Sequence, residues 1–207
     1  MRLFSNTLVD GERIPEAHAL GVPGDNGPVP GANRSPHLRW EGAPAGTRSF
    51  ALICVDPEVP SSGEDVNRSD RTVPYDLPRV DFYHWVLTDI PAGVTELAEA
   101  ADADGLVPRG KPAGPSAAGV RGINDYTGWF AGDADMGGDY GGYDGPWPPF
   151  NDERLHRYRF TVYALDVDTL GLPPRTTGAE ALAAIGGHVL DQASITATYA
   201  LYPAARP

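Results

Sequence analysis

Glycine and proline interrupt this chain so often that many turns and short strands are favoured over long helices. The 25 glycines and 21 prolines make up more than a fifth of the 207 residues. They are scattered rather than periodic, and apolar runs recur between them, so neither a collagen-like nor a low-complexity reading survives. Glycine supplies turns and proline removes a backbone donor, which favours short strands joined by many turns.

The apolar runs place the strands. Phe50-Ala51-Leu52-Ile53-Cys54-Val55 has no polar face and predicts a central strand covered on both sides. Asp56 precedes Pro57 and is pushed toward extended geometry; the strand is expected to end there, its carboxylate at the rim. Tyr83-His84-Trp85-Val86-Leu87-Thr88 predicts a second strand with His84 near its start, closed by Ile90-Pro91-Ala92-Gly93. From Tyr158 to Leu165 apolar residues alternate. Period two puts His156 and Tyr158 on one face and turns Arg157 away. Ile195, Ala197, Tyr199 and Leu201 mark a last strand. The one clear helix starts at Thr177, with Glu180 completing a capping box. Leu182, Ile185 and Val189 are its apolar stripe, and Gly186-Gly187 should break or kink it.

Between these elements, residues 1–36 are turn-rich, 61–81 form a polar surface loop, and 102–122 are loop. Asp102 and Asp104 within the last are expected to be solvated. Residues 124–149 set glycines among Tyr126, Trp129, Phe130, Tyr140, Tyr143 and Trp147, which predicts an ordered, packed loop. No linker divides the chain, so residues 1–207 are expected to form a single, mostly-β domain.

A formal charge of -12 argues against nucleic-acid binding and against docking on anionic lipid. It leaves room for a local anion pocket built from imidazolium and backbone N–H groups. Cys54 is the only cysteine, has no partner for an internal disulfide, and is expected to be a buried, inert thiol. No stretch reaches the ~18–20 apolar residues of a membrane span, and the first residues lack a signal peptide's apolar run. A cytoplasmic protein without membrane insertion is expected.

Asp56, Glu58, His84 and His156 carry the chemistry. Two imidazoles and two carboxylates can ligate a metal, form an acid–base pair, or bind a small anion, and a lone strand histidine is more often just a satisfied core group. No close His or Cys pair has the spacing of a structural zinc site. A carboxylate such as Asp56 bonded to one imidazole nitrogen would present the other to a ligand. The Tyr158 hydroxyl and free backbone N–H groups around Pro148-Pro149 would assist. No serine lies in a Gly-x-Ser-x-Gly elbow. Gly132 to Asp139 lacks the ligand spacing of a calcium loop.

Motifs along nearly the whole chain match one family: Asn33-Arg34-Ser35-Pro36-His37-Leu38-Arg39-Trp40, Asp56-Pro57-Glu58-Val59-Pro60, His84-Trp85-Val86, Asn124-Asp125-Tyr126, Gly145-Pro146-Trp147-Pro148-Pro149 and His156-Arg157-Tyr158. In order and spacing the chain resembles the phosphatidylethanolamine-binding protein family and is similar to its bacterial, Raf-kinase-inhibitor-like branch. The resemblance implies an antiparallel β-sandwich with a few peripheral helices. It also implies a small conserved pocket for phosphate-like or carboxylate anions or a phosphorylated head group. Carried over, the pocket residues are Asp56, Glu58, His84, Pro148, His156 and Tyr158, with Trp147 at the lip. The family usually has Asp at the position of Glu58 and Cys or Gly at that of Trp147, where an indole can shield or block the pocket. Residues 130–142 look like an insertion.

The expected function is therefore a non-catalytic binding protein, in relatives one that regulates a kinase or protease, with no cofactor, metal or catalytic residue assigned. Two alternatives stand beside it. One is an interaction module or homodimer contact built on residues 129–147. The other is an ester or phosphoester hydrolase using His84 and His156.

Overall fold

The run Phe50–Val55 occupies the centre of the fold, as the absence of a polar face demands. The computed structural model describes residues 1–206. Their strands are β1 (Arg2–Phe4), β2 (Gly21–Val22), β3 (Val29–Pro30), β4 (Leu38–Glu41), β5 (Ser49–Pro60), β6 (Arg79–Pro91), β7 (Glu96–Leu97), β8 (Gly114–Pro115), β9 (Val120–Arg121), β10 (His156–Leu165) and β11 (Val189–Tyr199). The α-helices are α1 (Tyr126–Trp129) and α2 (Gly178–Ile185).

The main sheet runs β11-β10-β5-β6-β9-β8, and a smaller one runs β1-β4-β7. All their pairings are antiparallel. Alternation along β5 sends Phe50, Leu52 and Cys54 to one face and Ala51, Ile53 and Val55 to the other. The first set joins Leu38 and Trp40 of β4, Trp85 and Leu87 of β6, and Phe160 and Val162 of β10 in the core between the sheets. The second set is covered by Ala181 and Ile185 of α2. The architecture is the antiparallel β-sandwich with few peripheral helices that the motifs implied.

Several local expectations need correction. The strand does not stop at Asp56: β5 continues to Pro60, with a register break between Asp56 and Val59 where Pro57 contributes no donor. His84 lies well inside β6 rather than at its start. Val189 is not helical but opens β11, exposed, because α2 ends at Ile185 before Gly186-Gly187. Asp102 is buried, its carboxylate bonded by Arg121 Nε at 2.6 Å and by the Tyr143 amide at 2.9 Å. The turn-rich start also holds β1, β2 and β3, and 102–122 holds β8 and β9.

The start of α2 is as read. Thr177 Oγ1 accepts the Glu180 amide at 3.3 Å while Glu180 Oε2 accepts the Thr177 amide at 2.9 Å. Thr177→Ala removes one half of this box and is expected to lower unfolding free energy by about 1 kcal/mol. Urea denaturation with an unshifted midpoint would contradict that.

Candidate functional site

Three adjacent strands deliver the polar residues to one place, and irregularity in the sheet aims them. On β10, His156, Tyr158 and Phe160 share the inner face by simple alternation, while Arg157 points outward. On β5, Asp56 continues the inner series of Phe50, Leu52 and Cys54, and its Oδ1 accepts the Glu58 amide at 2.8 Å across the proline step. On β6 the register jumps from Cys54↔Trp85 to Val55↔Tyr83, leaving His84 as the extra residue of a bulge. Such a bulge re-aims a side chain. It turns His84 to the same side as Trp85 and Phe82, where strict alternation would have sent it against α2.

His156 is the electrostatic centre. Its Nδ1 lies 2.6 Å from Asp56 Oδ2 and its Nε2 lies 3.1 Å from Asp152 Oδ2, with all three side chains buried. Two carboxylates on one ring require both nitrogens to donate, so the ring is an imidazolium. Burial works to lower its pKa, but the Asp56 charge and the bonds from Asp152 and Asp56 prevail and raise it to about 9. Asp152 is also gripped by Arg79, at 2.5 Å from Nη1 to Oδ2 and 3.0 Å from Nη2 to Oδ1. Burial alone would raise Asp152; its bonds to His156 and Arg79 keep it below the ordinary carboxylate value. Two cations thus balance two carboxylates under the site.

His84 has the opposite state. Its Nδ1 faces the Asp144 backbone carbonyl at 2.9 Å. A carbonyl only accepts, so the proton sits on Nδ1 and the neutral ring leaves Nε2 as a bare acceptor. Burial lowers the pKa of His84, outweighing the Asp56 charge and the Asp144 carbonyl. Among the described residues Nε2 has no hydrogen-bond partner, and it is not sealed in the interior. Asp144 itself is held by Asn33 Nδ2 at 2.7 Å, Asn124 Nδ2 at 2.9 Å and Lys111 Nζ at 3.1 Å. Its amide returns to the His84 carbonyl at 2.9 Å.

These groups floor a cavity of about 360 Å³. Of the residues expected there, Asp56, His84, Trp147, Pro148, His156 and Tyr158 all line it. Glu58 does not. Its carboxylate is turned to Arg154 Nη1 at 2.7 Å and to Arg157, whose Nε lies at 2.9 Å. Burial would raise Glu58, but the bonds from Arg157 and Arg154 lower it. Trp147 does not close the cavity: its indole lies flat against Gly21, where a Cβ would come within 2.3 Å of the ring. The loop also offers fewer donors than expected, because Pro146, Pro148 and Pro149 lack N–H groups and the Phe150 amide is bonded to Asn67 Oδ1. Trp147 supplies the loop's remaining amide between Gly145 and Phe150. Asp152, Arg79, Asp144 and Lys111 escaped sequence reasoning, as did the lining residues Phe82, Leu106 and Met136. Phe82, Asp144 and Asp152 lie beside the quoted motifs, and nothing local marked the others. Among the described residues, no group of three or more His, Cys, Asp or Glu side chains is placed to hold a metal ion.

The phosphatidylethanolamine-binding protein family model matches residues 4–200. The chain belongs to this family. Among PEBP relatives, the UPF0098 protein of Aquifex aeolicus is 32% identical over 200 residues, covering 96% of this chain and 88% of that protein. The UPF0098 protein YbhB of Escherichia coli is 32% identical over 201 residues, covering 96% and 99%. The crystal structure of E. coli YbcL, described as a new member of the mammalian PEBP family, aligns with a TM-score of 0.68 at 27% identity. That alignment covers 96% of this chain and 97% of that one.

In this PEBP-family chain the His156 clamp makes stability depend on pH. The folded pKa of about 9 lies above the ordinary 6.5. The contribution is therefore fully present below pH 6.5 and is lost as pH rises through about 9. Its size is roughly 3 kcal/mol at ~1.4 kcal/mol per pH unit. Urea unfolding should show stability falling by roughly 2 kcal/mol between pH 6.5 and 8. A flat profile over that interval would show that the clamp holds no extra proton.

Proposed function

We propose that the chain is a non-catalytic binding protein whose cavity holds a small molecule by a phosphate-like or carboxylate head. The head sits beside Asp56, His84 and Tyr158. The observation that carries this is the unpartnered Nε2 of His84 on the floor of a cavity whose other imidazole, His156, has both nitrogens engaged. Tyr158 keeps its proton, raised first by burial and then by the Asp56 charge. An ionised head would meet the Asp56 carboxylate, so binding must bring a proton into the site. Either His84 Nε2 takes it up and donates to the ligand, or an acidic ligand oxygen arrives protonated and donates to Nε2.

A non-catalytic role is supported by His156, whose two nitrogens are both committed to carboxylates and which therefore has no free position for proton exchange with a substrate. That removes one member of the acid–base pair a hydrolase would use. Family membership supports the binding role at the coarser level. A cytoplasmic location, and regulation of a kinase or protease by the loaded protein, are finer parts of the proposal. Self-association through residues 129–147 is supported by Trp129, which stands 52% exposed at the cavity mouth. Sedimentation showing one monomer-sized species at all concentrations would remove that last part. None of the described helices is long and apolar enough to cross a membrane.

The proton requirement has a sign. The bound complex holds the proton more tightly than the free site, so affinity climbs as pH falls and levels off below the free pKa of His84, itself lowered from 6.5. Calorimetry with sulfate, whose charge does not change in this range, should show affinity rising up to about tenfold per unit between pH 7.5 and 6. His84→Ala is expected to abolish binding of sulfate and inorganic phosphate. Equal heats from the variant and the parent would remove the proposal.

A further inference from the structure

The two walls of the cavity are fastened differently. On one side the Tyr126 hydroxyl donates to the Gly145 carbonyl at 2.8 Å, Phe130 stacks on Tyr126 at 5.7 Å, and the Tyr140 hydroxyl donates to the Met136 carbonyl at 2.7 Å. Tyr126 and Tyr140 are buried, so that wall belongs to the packed interior. The other side comes from the connection between β5 and β6, whose Gly63, Val66 and Asn67 line the cavity. None of residues 61–71 is buried. The ion pairs of Arg71 with Asp65 and Asp70, and of Arg68 with Asp70, are internal to this segment and tie it to nothing else.

One side chain holds the segment to the body. Asn151 Nδ2 donates to the carbonyls of Asp65 at 2.8 Å, Arg68 at 3.0 Å and Arg71 at 2.8 Å, while its Oδ1 accepts the Asn67 amide at 3.0 Å. Two amide protons serve three carbonyls, so these bonds are shared. Asn67 returns the contact, its Oδ1 accepting the Phe150 amide at 3.2 Å. The ends of the segment are firmer. At the first, the Ser61 amide donates to the Pro78 carbonyl at 3.0 Å. At the second, Val73 is buried with its amide on the Asn151 carbonyl at 2.9 Å, and Thr72 Oγ1 donates to Glu153 Oε1 at 2.7 Å. Behind the segment an open hollow lined by Arg68, Arg71, Phe150 and Tyr202 leaves it room to move. A stretch with no buried side chain, fixed ends and space on both faces is a unit of low local stability.

We propose that residues 62–71 form a gate over the cavity, latched by Asn151 and hinged at Ser61 and Val73. Opening breaks the Asn151 and Asn67 bonds together and leaves the opposite wall and the floor in place. The gate controls access to His84 whatever molecule the floor holds, so it goes beyond the head-group reading and does not depend on it.

Two measurements test the gate without any ligand. Amide hydrogen exchange, read residue by residue by NMR, reports the latch. In Asn151→Ala, exchange at Asn67 is expected to quicken at least tenfold, with Leu52, Val86 and Val162 of the central strands unchanged. Labelling of His84 by diethyl pyrocarbonate, which acylates an unprotonated imidazole nitrogen, reports access. Its rate, read by mass spectrometry of the His84 peptide, should rise severalfold, while His188, which meets Asp166 at the opposite end of β10, labels at the parent rate. Asn67→Gly is the second variant. Asn67 is exposed with φ 57°, where glycine fits without strain, and only its bond to the Phe150 amide is lost. This variant folds even where Asn151→Ala does not, and should quicken both Phe150 exchange and His84 labelling by a smaller factor. Unchanged exchange at Asn67 in Asn151→Ala would overturn the latch. Faster exchange with unchanged His84 labelling in both variants would overturn the gate. Exchange rising equally through the central strands would overturn both, because the two asparagines would then be supports of the sheet. Sulfate binding remains the separate test of the head-group reading, so either idea can fail while the other stands.

Discussion

A protonated imidazole trapped between two buried carboxylates holds this site together. His156 bridges Asp56 on β5 and Asp152 in the segment before β10, and Arg79 of β6 closes the chain through Asp152. Removing one partner from such a cluster strands a charge in a low-dielectric interior, which is far more costly than any single hydrogen bond. The cluster therefore fixes the end of β5, the entry to β10 and the first turn of β6 relative to one another. The cavity floor takes its shape from that agreement. Glu58, bonded by Arg154 and Arg157, reinforces the same junction from outside the cavity.

The two histidines on this floor differ because their neighbours differ. Both are buried, and burial disfavours charge in each. His156 has a carboxylate at each nitrogen and stays charged. His84 has a backbone carbonyl at one nitrogen, the rings of Phe82, Tyr126 and Tyr158 around it, and a cation nearby, so it stays neutral. The environment separates two chemically identical groups into a structural cation and an available acceptor. The buried Asp144, fastened by Asn33, Asn124 and Lys111, supports that division because its carbonyl sets the His84 tautomer.

How much of this was legible in the sequence depended on the range of the interaction concerned. The burial of Phe50–Val55 on both faces, the alternation that pairs His156 with Tyr158, and the Thr177–Glu180 box all rest on residues close in sequence. The continuation of β5 past Asp56-Pro57 and the bulge at His84 rest on register between strands, which no local pattern records. Asp102 read as a surface acid because Arg121 and the Tyr143 amide, which justify its burial, lie far along the chain. Glu58 was expected at the pocket for want of any sign that two arginines would claim it. The motif resemblance reached further than local patterns because it carried the arrangement of distant segments with it.

Composition and local spacing alone determined a mostly-β domain rich in turns, because turn residues and two-residue alternation act over a few peptide units. The antiparallel sandwich came with the motif resemblance. Which carboxylate meets which imidazole, which ring nitrogen stays free, and how wide a cavity opens above them were decided only in the folded molecule. Those outcomes depend on charges and rings brought together across about a hundred residues, as Asp56 and His156 are. Their protonation is a property of the assembled surroundings rather than of either residue alone.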